Sequence, residues 1–104
     1  MMHALAPALD NDIVCPGDSL TEGTSGVTYP WATRYPTVLG TLFSPNRAVD
    51  NLGVGGETAA DIATRFLAYG TNRQIVVIWA GRNGVLTLSA ASIVASIQTM
   101  VDAV

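Results

Sequence analysis

Lysine is absent from this 104-residue chain, and histidine and cysteine each occur once, as His3 and Cys15. Each shortage removes a class of function. The basic side chains are five arginines scattered singly at Arg34, Arg47, Arg65, Arg73 and Arg82, so there is no basic stripe to neutralise a phosphate backbone, and no nucleic-acid partner is expected. One cysteine cannot form an internal disulfide and leaves the compartment open. No His/Cys cluster offers a metal site, and nothing calls for a cofactor. The longest apolar run, Ile75 to Ala80, is far short of the roughly 20 residues that cross a bilayer. Met1 to Ala8 carries no Lys or Arg and is too short for a signal-peptide core, so a soluble chain is expected. What is present is 49% hydrophobic residues and a net charge of −3, a composition that suits one packed domain spanning 1–104.

The apolar residues fall into an alternating pattern. Strand-like segments end at Cys15, cover Ala48 to Leu52, and cover Ile75 to Ala80; the last shows no polar alternation, as in a strand buried on both faces of a parallel sheet. Helical stripes lie between and after them. Trp31, Tyr35, Val38, Leu39 and Leu42 form one, with regular helix starting near Pro36. Ala59, Ile62, Ala63, Phe66 and Leu67 form a second, which Gly70 ends. Ile93, Val94, Ile97, Val101 and Val104 form a third, with Ser89 as cap. The order predicts an α/β fold, a flavodoxin-like three-layer sandwich with a parallel sheet, stopping after its third strand and helix. The most hydrophobic strand then lies at an open edge, which suits pairing with a partner or an oligomer.

Each strand is followed by a glycine-containing turn, and in open parallel sheets such turns converge on one crevice. The turns are Gly17-Asp18-Ser19-Leu20-Thr21-Glu22-Gly23, Asn51-Leu52-Gly53-Val54-Gly55-Gly56-Glu57-Thr58 and Gly81-Arg82-Asn83-Gly84. Ser19 is placed to present its hydroxyl as a nucleophile. Gly56, expected at a helix start, and Asn83, with its amide, are placed as donors to a developing oxyanion.

In order and spacing these turns resemble the first three blocks of the SGNH, or GDSL, hydrolase family of esterases and lipases. The resemblance implies Ser19 as nucleophile and oxyanion donor, with the Gly56 N–H and the Asn83 amide completing the hole. It implies hydrolysis of a carboxylic ester through an acyl-serine intermediate, the substrate being an acetylated sugar, a short acyl ester or a lipid ester such as a lysophospholipid. Two departures stand out. Gly84 follows Asn83 where the family usually has Gly-x-Asn-Asp, and nothing matches the family's Asp-x-x-His element, so the resemblance covers about the first half of such a domain. His3 precedes the first strand, at the end of the sheet opposite the crevice.

Rival readings accompany each residue. Ser19 also suits a helix N-cap, with Glu22 in capping-box register. Asp18 reads as turn-stabilising, Asn51 as a structural hydrogen bonder, and Cys15, Phe66 and Trp79 as core. Gly53, Gly55 and Gly56 fail a phosphate-loop pattern, because Thr58 takes the place of the last glycine. Glu57 and Asp61 read as first-turn acids, and Tyr29 and Trp31 suit either a pocket wall or the surface. For the chain as a whole, the alternatives to an esterase are a non-catalytic remnant that binds a small ligand, and a half-domain that docks on a chain carrying the missing strands and histidine.

Overall fold

The computed structural model describes residues 11–104, so His3 lies outside the described residues. Three parallel strands, β1 (Ile13–Gly17), β2 (Val49–Gly53) and β3 (Ile75–Val76), lie in the order β2-β1-β3. The helices are α1 (Ser19–Glu22), α2 (Tyr35–Thr41), α3 (Ala59–Tyr69) and α4 (Ala90–Asp102), with a 3₁₀ turn at Trp31–Thr33. A central first strand flanked by the second and third is the opening of a flavodoxin-like sheet. The α/β class read from the sequence is therefore the observed one.

β1 is buried along its whole length because it is paired on both sides, with Val14 opposite Asp50 and Val76. It continues two residues past Cys15 through Pro16 and Gly17. Pro16 explains why β3 is so short. In a parallel ladder a residue's N–H and C=O face the same neighbour. The Val14 carbonyl accepts from Val77 N–H at 3.0 Å and the Pro16 carbonyl from Trp79 N–H at 3.3 Å, so both residues face β3. Proline has no N–H to return. The ladder lapses after Val76 and resumes only as a single bridge between Gly17 and Trp79. The expected six-residue strand over Ile75 to Ala80 is thus two residues and a bridge. Its residues are only part-buried, because no described strand pairs with its outer edge, and Trp79 is 48% exposed rather than core.

Helices cover both faces. On one, Val14 and Leu52 of the sheet pack with Ile62, Ala63 and Phe66 of α3 and Met100 of α4. On the other, α2 lies so close to the chain entering β2 that a Cβ on Gly40 would collide with the Arg47 carbonyl. Close backbone approach leaves Val38 and Leu42 of the expected stripe in solvent, and the buried positions are Pro36 and Gly40. The α3 stripe is as expected except for Leu67, which is exposed. Gly70 ends α3, though in right-handed conformation; its lack of a side chain makes room for the Phe66 ring. In α4, Ser89 caps by accepting from Ser92 N–H at 3.1 Å, but only Met100 is fully buried. Val94 and Val101 are exposed. Among the described residues no helix is long and apolar enough to cross a membrane.

Candidate active site

The first turn carries Ser19 from β1 into α1. Asp18 caps that helix, its Oδ1 accepting from Leu20 N–H at 2.9 Å, so Ser19 is the first helical residue and not the cap. The alternative capping-box reading fails for the same reason. Glu22 turns away to accept from Gly55 N–H at 2.8 Å and from the Thr24 hydroxyl at 2.9 Å. Ser19 Oγ makes no hydrogen bond among the described residues, and its N–H, in the first turn, has no intrahelical acceptor. Gly17 is required because a Cβ there would strike the Thr21 side chain. Asp18 is wholly buried, which fits its turn-stabilising role, yet its Oδ2 has no partner.

The second turn folds over the first. Asn51 is structural, donating from its amide to Thr21 O at 2.8 Å and accepting from Gly53 N–H at 2.9 Å. A Cβ on Gly55 would lie 3.5 Å from Ser19 Cβ, which puts this turn against the serine. Gly56 follows with φ of +82°, and no described residue accepts from its N–H. It is not at a helix start, as the sequence suggested. Thr58 and Asp61 form a full capping box that starts α3 at Ala59. Asp61 is therefore a first-turn acid as expected, whereas Glu57 lies ahead of the helix and is paired with Arg65, Oε1 to Nη2 at 2.7 Å.

The third turn is tied to the second. The Asn83 amide donates to the Glu57 carbonyl at 3.0 Å, which uses one of its two amide hydrogens. The three residues singled out in the sequence thus sit on turns that touch at the carboxyl end of the sheet. Sequence reasoning missed Arg65, whose guanidinium reaches Leu52 O at 2.6 Å as well as Glu57. The available signal was a lone charge among Ile62, Ala63 and Phe66.

Beneath the serine turn the surroundings are apolar. Burial raises the Cys15 thiol from 9.0 to about 11, against a lowering by its hydrogen bond to Tyr35. Burial likewise raises the Tyr35 phenol, whose hydroxyl lies 3.2 Å from Thr21 Oγ1; nearby Cys15 and Asp18 add to the rise. Cys15 is core, as expected. Tyr29 and Trp31 lie on the surface, with Arg34 stacked 4.5 Å over the Trp31 ring and bonded to Tyr29 O.

Against known proteins, the profile of the GDSL-like lipase/acylhydrolase family matches residues 15–104. The chain belongs to that family. The fold agrees with solved GDSL and SGNH structures. A G-D-S-L family protein from Desulfitobacterium hafniense DCB-2 superposes with a TM-score of 0.73 at 28% identity, over 89% of this chain and 52% of that one. AlinE4, an SGNH-hydrolase family esterase, gives 0.71 at 23%, over 86% and 50%. A carbohydrate acetylesterase family member from Sinorhizobium meliloti gives 0.68 at 23%, over 86% and 51%. The GDSL chain here therefore spans about half the length of these structures. No curated protein matches it.

Proposed function

We propose that this chain forms the nucleophile half of a carboxylic ester hydrolase. The observation that carries the reading is the unpartnered Ser19 Oγ at the contact between the first two turns, with the third turn tied to the second through Asn83. Ser19 Oγ attacks the ester carbonyl, and the tetrahedral oxyanion accepts from Ser19 N–H, Gly56 N–H and the second Asn83 amide hydrogen. The alcohol leaves with a proton, and water releases the acid from the acyl-serine. Removing the base from such a machine costs orders of magnitude in rate, and the described residues hold no histidine. The substrate classes are acetylated sugars, short acyl esters and lipid esters.

The test is labelling of the purified chain with a serine-directed phosphonate, beside hydrolysis of an activated short-chain ester. Labelling confined to Ser19, slow because the described residues hold no histidine base, and lost in Ser19→Ala is expected. A folded chain that takes no label at Ser19 overturns the reading and leaves a ligand-binding remnant. A second reading, a half-domain docked on another chain, is favoured by the outer β3 edge, which no described strand pairs, and by the exposed Trp79 at its end. A monomer in solution, unchanged across concentration, counts against self-association through that edge.

A further inference from the structure

The same crevice contains a second arrangement that the proposed reaction does not use, centred on Arg65 of α3. Its Nη2 donates to Leu52 O at 2.6 Å, at the end of β2, and more loosely to Gly17 O at 3.4 Å, at the end of β1. Nη2 and Nε together grip the Glu57 carboxylate, at 2.7, 3.0 and 3.2 Å. Glu57 in turn holds Asn83 through its own backbone carbonyl at 3.0 Å. One side chain thus binds the strand end before the serine turn, both ends of the second turn and, through Glu57, the third.

These bonds are made to work. The Arg65 and Glu57 side chains are only 22% and 20% exposed, so the pair is partly desolvated and stronger than a surface ion pair. Two of the carbonyls it holds belong to strand ends, which are fixed by the sheet. The movable pieces are therefore the loop at Glu57 and, beyond it, Asn83. Gly56 precedes Glu57 directly, with φ of +82° and no described acceptor for its N–H, and the turn around it is closed only loosely, by Glu57 N–H to Val54 O at 3.4 Å.

We propose that Arg65 is the positioning residue of the GDSL crevice: it sets the Gly56 N–H and the Asn83 amide relative to Ser19. The proposal rests on the oxyanion reading for what those donors do, but not for how they are held. Glu22, which grips Gly55 from the α1 side, fixes the opposite flank of the same turn.

The experiment uses the full chain with Arg65→Gln, Arg65→Lys and the milder Glu57→Gln, each first shown to melt cooperatively. Hydrogen exchange by NMR reads the Asn83 side-chain amide, and the ¹⁵N order parameter of Gly56 reads its backbone mobility, with Ile97 and Met100 in α4 as internal standards. Exchange at Asn83 should quicken about tenfold and the Gly56 order parameter should fall in Arg65→Gln, less in Glu57→Gln, with a return toward wild type in Arg65→Lys and α4 unchanged. In parallel, affinity for a short alkylboronic acid, whose tetrahedral adduct with Ser19 Oγ mimics the oxyanion, is read by ¹¹B NMR. It should fall about tenfold or more in Arg65→Gln and recover in part in Arg65→Lys. An Asn83 exchange rate and a Gly56 order parameter that both stay at wild-type values in Arg65→Gln and Glu57→Gln overturn the positioning role. Exchange that quickens while the boronic acid binds wild type and Ser19→Ala equally sustains the positioning role and overturns the oxyanion reading instead. Should Arg65→Gln fail to fold, Glu57→Gln and Arg65→Lys carry both measurements.

Discussion

The two ends of the sheet are built on opposite plans. At the amino end, Arg73 and Asp50 form an ion pair with side chains only 3% and 4% exposed. Asn11 closes it, donating to Asp50 from its backbone at 3.2 Å and its amide at 2.7 Å, while Arg73 also bonds Asn11 O and Tyr69 O. At the carboxyl end, Arg65 and Glu57 are partly open, Ser19 Oγ and Gly56 N–H are unspent, and Asp18 Oδ2 is buried without a partner. Satisfied polar groups stabilise, and unsatisfied ones cost stability unless they are kept for another use. The amino end therefore holds the fold, and the carboxyl end is where the proposed chemistry lies.

That contrast is open to attack at several points. Asp50→Ala takes a buried carboxylate from the Arg73 guanidinium and should cost about 3 to 5 kcal/mol, enough to unfold much of a chain this small, as read by urea denaturation with circular dichroism. A loss under about 1 kcal/mol would show that the amino end is not the anchor. Next in size is a pH effect beneath the serine turn. The Cys15 thiol is raised in the folded chain from 9.0 to about 11, so the native state holds its proton where the unfolded state gives it up. The stability it contributes is whole below pH 9.0 and is lost as pH rises to about 11, at most about 3 kcal/mol, and Cys15→Ala should flatten that slope in melts across the range. Thr58→Ala removes the capping box of α3 and should cost about 1 kcal/mol, measured the same way. Smallest is Ser19→Ala, which should change stability by less than about 0.5 kcal/mol while abolishing phosphonate labelling. A large stability loss there would make Ser19 a structural residue and erase the difference between the two ends.

Much of this was legible in the residues. The period-3.6 stripe of α3 and the apolar runs of β1 and β2 report local burial, and the three glycine turns report where the chain must bend tightly, so class, order and the meeting of the three turns followed from them. Other features depended on what each element meets. The outward faces of α2 and α4 look apolar in sequence, but Gly40 brings α2 in by its backbone and α4 reaches the core through Met100. β3 was read as long because its own residues suit a strand; the proline that shortens its ladder sits on β1, some sixty residues earlier. Gly56 was placed at a helix start because periodicity cannot tell which of several polar residues will cap, and Thr58 with Asp61 won. Arg65 and Arg73 show the same limit, since nothing in their spacing says which carbonyls and carboxylates they will meet.

Trp79 follows from the bridge at the end of β3. Its backbone is bonded to Pro16 beside the serine turn, its ring lies 5.7 Å from that of Tyr35, and half its surface meets water. Besides Trp31 on the outer loop, it is the chain's one other indole. In a Trp31→Phe background its fluorescence becomes a single optical reporter seated beside Tyr35 at the carboxyl end of the sheet, so that a rearrangement there is visible as a colour and intensity change without any attached dye.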